Sequence, residues 1–451
     1  MSGGTENSIF RTASGGGSAG RKIRTVIIGG GPAGLFAAIA AAETGTSDVI
    51  LLEKNGEPGR KLRMTGGGRC NLTNNKDVRD FSRGVLQGAK FLTKALYALD
   101  PEAICRWFEE NGVPLISQEE DRVFPRSDRA DEVLQTLISR AKALGVVFRL
   151  RVAVLGIDAL PTGAFRVRME GETIECDSCV LCTGGLSYPT TGSTGDGLRI
   201  AGALGQPLVV TRPGLAPIRL REQEVGSSYD ARKNSQPGRS TAVPSGIALR
   251  DIGLVLYEGD TVLSRTRGDL LFTHTGVSGP AVLTISRDLP TESAAYSGGD
   301  VRLRIDLLPS LKESERDEKI LHLISEFPNR SLLRVLRGLA PEAYLRNLLD
   351  RIGLEADRAC HDIRREERKL LRDAIHGLRF TVAEPPSYKE AMITAGGVDT
   401  AFVDPRTMES KCIPGLFFAG EILDIDAITG GYNLQIAFST GYLAGRAAVR
   451  I

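Results

Sequence analysis

The sequence predicts an α/β fold, and three observations support that prediction. A β-branched run, residues 24–28, leads directly into the glycine-rich segment 29–34 and then into a helix-like run. A second apolar run, residues 49–52, is strand-like and ends in Glu53. Near the C-terminus another strand-like run reaches Gly420, and a helix-like run follows it. Strand and helix patterns that alternate in this way are typical of a parallel sheet covered by helices.

The first strand–glycine–helix unit has the pattern of a dinucleotide-binding turn. Gly29 permits the tight turn, Gly31 has no side chain to hold a pyrophosphate away from the backbone, and Gly34 lets helix and strand pack closely. The helix then presents free N–H groups to the phosphates. Glu53, nineteen residues after Gly34, is placed to accept a hydrogen bond from a ribose hydroxyl. We therefore predict that the dinucleotide contacts Gly29, Gly31, Pro32, Ala33, Gly34, Glu53 and Lys54.

Composition and charge narrow the class of protein. The chain has 451 residues, 41% of them apolar, and its 57 basic and 55 acidic side chains leave a net charge of +2. So small a balance argues against a dedicated nucleic-acid binder. Seven cysteines, an odd number, and no secretory signal favour a reducing cytoplasm. The uncharged run 25–42 contains four glycines and a proline, so we expect no membrane span there. Four scattered histidines predict no metal site.

Three later segments also suit a cofactor. The stretch 59–74 is rich in glycine and cations, which favours an anionic ligand along an extended backbone. A double glycine follows the predicted strand 172–183, and the run after Gly420 opens the last helix, 436–449. In FAD enzymes a late strand with a terminal acid holds the ribitol, and the next helix faces the pyrimidine end of the flavin. These segments add Arg60, Lys61, Thr65, Gly66, Gly67, Gly68, Arg69, Cys70, Asn71, Thr183, Gly184, Gly185, Gly420, Glu421, Gly431, Tyr432, Asn433 and Leu434 to the predicted FAD contacts.

From about residue 24 onward the chain resembles the YhiN/BaiN-like family of FAD-dependent oxidoreductases, also known as aminoacetone-oxidase-family flavoproteins. The motifs that carry the resemblance are GGGPAG (29–34), RKLRMTGGGRCNLTN (60–74), RVFPRSDRADEVL (122–134), TGGLSYPTTGSTGDG (183–197), GDLLFTHTGVSGPA (268–281), SYKEAMITAGGV (387–398) and GLFFAGEILDIDAITGGYNLQIAFSTGYLAG (415–445). It implies a Rossmann-type FAD-binding domain formed from both chain ends, with an inserted β-barrel-like domain and a small helical segment. The expected boundaries are a disordered tail at 1–22, the first part of the FAD domain at 23–204, a β-rich insert on the substrate side at 205–312, its helical segment at 313–380, and the second part of the FAD domain at 381–451.

Three side chains are candidates for catalysis. Cys70 follows a cation in the predicted cofactor loop, and nearby cations lower the pKa of a thiol. His274 lies in the insert motif that the resemblance places near the active-site cleft, where it either donates a proton or bonds neighbouring backbone groups. Tyr432 is a candidate on similar grounds. Cys176, Cys179 and Cys182 form overlapping C-x-x-C pairs, but in a continuous strand residues three apart lie about 10 Å from each other, so we expect no dithiol.

The predicted activity is hydride transfer between flavin and a small organic substrate by a cytoplasmic enzyme. Because the sequence between residues 75 and 420 holds no second strand–GxGxxG–helix unit, NAD(P)H either docks transiently as the electron donor, or electrons come from the substrate and leave to oxygen. The alternative is a flavin-dependent RNA (tRNA) modification enzyme that binds RNA through the Arg-rich segment 313–378. Its charges are mixed in sign, which favours a solvated helix face and no nucleic-acid partner.

Overall fold

A computed structural model of the chain describes residues 22–221, 225–226 and 243–450. Residues 1–21 of the predicted tail lie outside the described residues. The first part of the chain alternates strands and helices. Its elements are β1 (Ile23–Ile28), α1 (Pro32–Ala42), β2 (Ser47–Glu53), α2 (Arg60–Met64), β3 (Thr73–Asn74), α3 (Val78–Ser82), β4 (Val85–Gln87), α4 (Ala89–Ala98), α5 (Pro101–Glu110), β5 (Leu115–Ser117), β6 (Arg122–Pro125), α6 (Ala130–Ala143), β7 (Val147–Leu150), β8 (Val154–Ala159), β9 (Phe165–Met169), β10 (Glu172–Cys176), β11 (Ser178–Leu181) and α7 (Asp196–Ala203).

The middle of the chain is rich in strands and then in helices, as predicted. Its elements are β12 (Leu208–Gly214), β13 (Ile218–Arg219), β14 (Val225–Gly226), β15 (Val243–Pro244), β16 (Ala248–Glu258), β17 (Thr261–Phe272), β18 (Gly276–Ser278), α8 (Pro280–Ile285), α9 (Ala294–Ser297), β19 (Val301–Asp306), α10 (Glu313–Glu326), α11 (Leu332–Leu336), α12 (Glu342–Arg351), α13 (Arg365–Gly377) and β20 (Leu378–Thr381). The chain then closes with β21 (Ile393–Val398), β22 (Leu416–Phe418), β23 (Asp426–Ala427) and α14 (Tyr432–Ala448).

Both ends of the chain build one parallel sheet. Its strand order is β22-β11-β1-β2-β7, and every neighbouring pair in it is parallel. β22 and the last helix, α14, come from the C-terminal end of the chain. The other four strands, β1, β2, β7 and β11, all precede Thr183. This arrangement confirms the predicted α/β fold with a Rossmann-type domain formed from both chain ends.

α14 lies against α1 through two glycines. A Cβ atom built on Gly441 would lie 2.3 Å from the carbonyl oxygen of Ala33, and one on Gly445 would lie 2.2 Å from that of Ala37. Real Cβ atoms do not approach other atoms so closely, so the two helix backbones are in direct contact. The first and last helices of the domain are therefore held together at a distance that only glycine permits.

The insert forms an antiparallel sheet with its own core. The strand order is β13-β18-β17-β16-β19-β20, and a further bridge between Leu220 and Val382 joins its two edges, which agrees with a barrel-like shape. Its buried apolar residues run from Ile218 to Val382 and include residues of α8 and α10–α13, whereas those of the FAD domain form a separate cluster. Among the described helices, none has the combination of length and hydropathy that a membrane span requires.

The expectation that Cys176 and Cys179 lie far apart is wrong. The predicted continuous strand is broken at Asp177, whose backbone N–H donates to the carbonyl oxygen of Arg24, so β10 ends at Cys176 and β11 begins at Ser178. This turn brings the two sulfur atoms to 3.3 Å from each other as free, buried thiols. Burial raises the pKa of Cys179 well above its usual value, which keeps its sulfur in the thiol form.

Candidate cofactor and substrate site

A single large cavity opens at the carboxyl ends of the parallel strands. Its volume is about 1100 Å³, which exceeds the usual size of a site for one small ligand. The loops after four strands of the sheet line it: Gly29–Ala33 after β1, Lys54 and Asn55 after β2, Thr183 and Gly184 after β11, and Gly420 and Glu421 after β22. Open α/β sheets bind their ligands in this position.

The three glycines of the fingerprint differ in their surroundings, and Gly29 and Gly34 have the packing roles that the sequence predicts. Gly29 has a φ of 106°, and a Cβ atom on it would lie 2.5 Å from the carbonyl oxygen of Cys182. A Cβ atom on Gly34 would lie 1.9 Å from the carbonyl oxygen of Gly29. Gly31, in contrast, has nothing within 4 Å of the same position. Gly29 and Gly34 therefore serve the fold, whereas Gly31 leaves room for a ligand at the N-terminus of α1.

Glu53 holds the fingerprint loop in place. Its Oε2 atom accepts a hydrogen bond of 2.8 Å from the backbone N–H of Gly30. Its Oε1 atom accepts from the backbone N–H of Asn55 at 2.7 Å and from the Asn55 side chain at 2.8 Å. The carboxylate lines the cavity and is 8% exposed. It therefore supports the two loops beside it from a position on the cavity wall, and its contact with a ribose stays a prediction.

Removing this carboxylate is expected to weaken FAD binding. Glu53→Ala takes away one charge-assisted bond to the cofactor and leaves the N–H of Gly30 without its partner, so we expect a loss of about 1–3 kcal/mol in FAD affinity. Equilibrium dialysis of the apoprotein against FAD measures it. Asp48→Ala, which removes an exposed acid from the same strand, is the matched control. Equal affinities for both variants and the wild type would contradict the placement.

A buried polar network joins α2 to the C-terminal part of the domain. The Lys61 Nζ atom donates to the Glu421 Oε2 atom at 2.6 Å and to the Ser187 Oγ atom at 2.6 Å. The Ser187 hydroxyl donates to the Glu421 Oε1 atom at 2.6 Å, and the backbone N–H of Thr394 donates to the same oxygen at 2.9 Å. Lys61 and Glu421 both line the cavity. Neither Ser187 nor Thr394 was among the predicted site residues.

The glycine-rich loop that follows α2 is not extended, contrary to the prediction from sequence, but turns through left-handed glycines. Gly66 and Gly67 have φ values of 58° and 68°, and a Cβ atom on Gly67 would meet nothing within 4 Å. The guanidinium of Arg69 stacks on the Phe124 ring, 4.3 Å from its centroid. Cys70 points away from the cavity into the core, where burial raises its pKa to about 12. Its thiol is therefore protonated at neutral pH and lies apart from the cavity lining.

The N-terminus of α14 lines the cavity on the side of the FAD domain. Gly431, with a φ of 95°, would bring a Cβ atom to 2.4 Å from the backbone of Thr73. The Tyr432 ring packs on Phe81 with 4.5 Å between centroids, and Lys76 donates to its hydroxyl at 3.3 Å. The Asn74 Oδ1 atom is buried here with no hydrogen-bond partner among the described residues. This unpartnered acceptor on the cavity wall fits a site built for a polar ligand.

The insert supplies most of the opposite wall. Its apolar side chains Leu215 and Leu283, with Ile393 of β21 beside them, line the cavity there, together with the polar side chains of Thr266 and Thr284. Arg267 also lines it and pairs with Asp251 through bonds of 2.6 and 2.7 Å. These residues were not predicted from the sequence. The motif 268–281 contains the first two residues of α8, so it indicated the helix on which Leu283 and Thr284 lie.

The cavity brings together most of the predicted cofactor contacts. The predicted residues that line it are Gly29, Gly31, Pro32, Ala33, Glu53, Lys54, Arg60, Lys61, Thr65, Gly66, Gly67, Arg69, Asn71, Thr183, Gly184, Gly420, Glu421, Gly431, Tyr432, Asn433 and Leu434. Those that do not line it are Gly34, Gly68, Cys70, Gly185 and His274. His274 is exposed at the end of β17, so of the three candidate catalytic side chains only Tyr432 faces the cavity.

An unusual carboxyl group lies where the insert meets the FAD domain. Asp426 is 1% exposed, and the Arg287 Nη2 atom lies 3.2 Å from its Oδ2 atom. Neither carboxylate oxygen has a hydrogen-bond partner among the described residues. Burial raises the pKa of Asp426 to about 6. Arg287 belongs to the turn that directly follows the cavity-lining helix α8, so this pair links that helix to the FAD domain.

The raised pKa predicts a pH-dependent stability. Because the unfolded carboxyl titrates near 4, the contribution of Asp426 is fully present below about pH 4 and is lost as the pH rises through about 6. We expect the free energy of unfolding of the wild type to fall, between pH 4 and 7.5, by about 2 kcal/mol more than that of Asp426→Asn. Denaturant titrations at each pH measure this difference, with the exposed Asp48→Asn as control. Parallel curves for the wild type and Asp426→Asn would contradict it.

Comparison with known proteins places the chain among flavoenzyme relatives. Residues 23–447 match the family described as HI0933-like protein Rossmann domain. The chain is 30% identical to 3-dehydro-bile acid delta(4,6)-reductase of Clostridium scindens, over 94% of this chain and 98% of that protein. It is 31% identical to ribosomal RNA dihydrouridine synthase of Escherichia coli, over 92% of this chain and 96% of that protein. A protein of the same name from Haemophilus influenzae is also 31% identical, with the same coverage of 92% and 96%.

Proposed function

This chain belongs to the HI0933-like Rossmann-domain family of FAD-dependent oxidoreductases, as its motifs predict, and on that premise we propose that it reduces a carbon–carbon double bond conjugated to a carbonyl group. The observation that carries the proposal is one cavity with two kinds of wall. Dinucleotide-binding loops form one wall, and apolar and hydroxyl side chains of the insert form the other. When bound, FAD supplies the hydride chemistry, and the chain supplies binding, orientation and charge.

The names of the relatives support this choice of bond. A 3-dehydro-bile acid with delta(4,6) unsaturation carries double bonds conjugated to its 3-keto group, and that relative is named as its reductase. Dihydrouridine is uridine whose ring double bond, conjugated to a carbonyl, has been reduced, and the other relatives are named as its synthases. The two names describe different substrates but the same kind of reduction. We propose that kind of reduction for this chain.

Different residues of the cavity contact different parts of the cofactor and the substrate. Gly31 and the N-terminus of α1 receive the pyrophosphate, and Glu53 faces the adenosine ribose. Glu421, held by Lys61 and Ser187, faces the ribitol. Tyr432 is the best placed of the three candidate catalytic side chains to donate a proton, because it alone among them lines the cavity and it has a cation, Lys76, beside its hydroxyl.

Apolar side chains of the insert suit the flat carbon skeleton of a small enone. Leu215, Leu283 and Ile393 exclude water from that side of the cavity, and Thr266 and Thr284 offer hydroxyl donors for a carbonyl oxygen. We propose reduced nicotinamide, docking transiently, as the source of electrons.

A second candidate substrate is a uracil base within RNA. The observation that favours it is the 31% identity to the two ribosomal RNA dihydrouridine synthases over nearly the full length of both. The cavity is also more basic than acidic, since Lys54, Arg60, Lys61, Lys76 and Arg267 are among its lining residues. The reaction would be the same in both cases, and only the carrier of the conjugated bond would differ.

One experiment tests the proposal and separates the substrates. The purified protein is reduced anaerobically with NADPH or NADH and then mixed with a 4-en-3-one steroid or with a uracil-containing RNA, while the visible flavin absorbance is followed. We expect a yellow protein whose bleached flavin is reoxidised by one of the two substrates. A folded protein that takes up no FAD, or a reduced flavin that only oxygen reoxidises, would contradict the proposal.

A further inference from the structure

The insert's sheet carries a row of arginines on one face. Arg265 of β17 pairs with Val255 of β16, Val255 pairs with Arg304 of β19, and Arg304 pairs with Arg379 of β20. Residues directly opposite each other in antiparallel strands project to the same side, so these side chains lie next to one another across four strands. Residues two positions away from Val255 along β16 project to the same side. In one direction Tyr257 lies opposite Arg302, and in the other Gly253 lies opposite Arg267. We call this surface, made of Arg265, Arg267, Arg302, Arg304 and Arg379, the arginine face.

The arginine face is the outer side of the sheet. The alternate residues of the same strands, such as Leu254, Leu256 and Leu303, are fully buried in the core of the insert. Arg265, Arg267 and Arg379 are exposed, while Arg302 and Arg304 are half-buried. The aliphatic stems therefore lie over the sheet, and the guanidinium groups of Arg265, Arg267 and Arg379 reach solvent. The Nε atoms of Arg302 and Arg304 are buried and have no hydrogen-bond partner among the described residues.

Positive charge on this face is largely unbalanced. Among the residues that the structure describes, Arg267 has an ion-pair partner, Asp251, whereas Arg265, Arg302, Arg304 and Arg379 have none. The guanidinium carbons of Arg304 and Arg379 lie 5.6 and 5.7 Å from the centroid of the Tyr257 ring, so one ring serves two cations. Like charges directly opposite each other destabilise a sheet. An arrangement of this kind is stabilised when an anion binds across it.

Part of the positive charge on the helical segment of the insert is paired. Arg337 and Arg346 pair with Glu342, and Arg358 pairs with Glu367. These ion pairs neutralise some of the segment's arginines, as the mixed signs of its sequence predict. On the sheet, four of the five arginines of the face have no ion-pair partner among the described residues.

The arginine face is continuous with the cavity. Arg267 belongs both to the face and to the cavity lining. Arg265 lies two positions before it in β17, further from the cavity. From there the row extends over β16 to Arg304 and Arg379. A polyanion lying on this row would therefore pass the mouth of the cavity that holds the reacting bond.

We propose that the arginine face binds the sugar–phosphate backbone of an RNA and so presents one of its bases to the cavity. Guanidinium groups bind phosphate oxygens with two parallel hydrogen bonds, and several in a row match the repeated charge of the backbone. The proposal rests on the second candidate function, for which it supplies the surface that positions the substrate. It moves the expected RNA contact from the Arg-rich helices to the sheet.

The test uses the full chain and a fluorescein-labelled, uracil-containing RNA hairpin, with binding followed by fluorescence anisotropy between about 50 and 200 mM potassium chloride. Arg304→Ala combined with Arg379→Ala removes two guanidinium groups from the face. The matched control, Arg365→Ala combined with Lys369→Ala, removes two exposed cations from α13. We expect the face variant to bind about tenfold or more weakly, with a salt slope lower by about 2, and the control to bind like the wild type.

Flavin absorbance and its bleaching by NADPH show that each variant is folded and should be unchanged in both. RNA affinity that is equal in the face variant and the wild type would overturn the proposal, and so would a loss confined to the α13 variant. A yellow protein that reduces the steroid enone but binds no RNA at about 50 mM salt would overturn it while leaving the proposed reduction intact. A colourless protein that binds RNA through the face would instead contradict the proposed flavin reaction.

Discussion

Gly31→Val is expected to give a folded protein that retains no FAD. A Cβ atom at residue 31 meets nothing within 4 Å in the protein, so the isopropyl group fits the apoprotein without a clash. It would instead occupy the space in which the pyrophosphate approaches the backbone at the N-terminus of α1. Losing two charge-assisted hydrogen bonds there would cost about 3 kcal/mol or more, at least about a 100-fold loss of affinity.

The flavin-to-protein absorbance ratio after purification and reconstitution measures this loss. Gly338→Val is the matched control, because a Cβ atom at residue 338 also meets nothing within 4 Å and the residue lies in the helical segment of the insert. The unfolding temperatures of the two apoproteins should agree with that of the wild-type apoprotein. An FAD-loaded Gly31→Val protein would show that the cofactor does not approach the backbone at this turn.

Gly441→Leu is expected to have the largest effect on stability. A Cβ atom at residue 441 would lie 2.3 Å from the carbonyl oxygen of Ala33, which is backbone and cannot rotate away as a side chain can. The two helices would have to separate, and the packing of α14 on α1 would be lost over much of their length. We expect a loss of about 3 kcal/mol or more in the free energy of unfolding, at the upper end for overpacked sites.

Denaturant unfolding of the apoprotein measures this effect without any contribution from FAD. The control is Gly202→Leu, an exposed glycine of another helix, α7, where the nearest atom is the flexible side-chain tip of Leu208 at 3.2 Å. The control should lose less than about 1 kcal/mol. Similar losses in the two variants would mean that helix propensity and bulk, rather than the contact between α1 and α14, determine the result.

The parts of the site that a sequence can predict are those whose geometry is local. The turn after β1 requires glycines at fixed spacings, and the structure confirms the packing roles of Gly29 and Gly34 that the spacing indicates, while the space beside Gly31 is open. The same holds for Glu53, which ends the second strand and faces the fingerprint loop. Each of these features depends on residues within one strand–turn–helix–strand unit.

The parts that sequence analysis missed depend on residues far apart in the chain. Lys61 and Glu421 are separated by 360 positions, yet they bond directly at 2.6 Å. No spacing rule relates two such side chains, so Ser187, which bonds to both, could not be recognised as a site residue either. His274 lies outside the cavity lining for a related reason: a motif identifies a segment, but the path of the loop between β17 and β18 decides where its side chains lie.

The arginine face had a sequence signal that composition concealed. Arg265 and Arg267 are two residues apart in one strand, and so are Arg302 and Arg304 in another, which places each pair on one side of its strand. The net charge of +2 averages these residues with the paired charges of the helices. The spacing of the arginines within each strand predicts a positively charged face. The net charge of the whole chain instead argued against a nucleic-acid-binding surface.

The sheet that both ends of the chain share has a consequence for the protein during its synthesis. Chains emerge from the ribosome with the N-terminus first. β1 and α1 are made early, but β22 and α14, which border them and complete the cavity, are made much later. The side of α1 that α14 covers therefore stays exposed on the growing chain until α14 has been made. The cavity is thus completed only after about 400 further residues have been synthesised, and until then the apolar surface of α1 is open to aggregation.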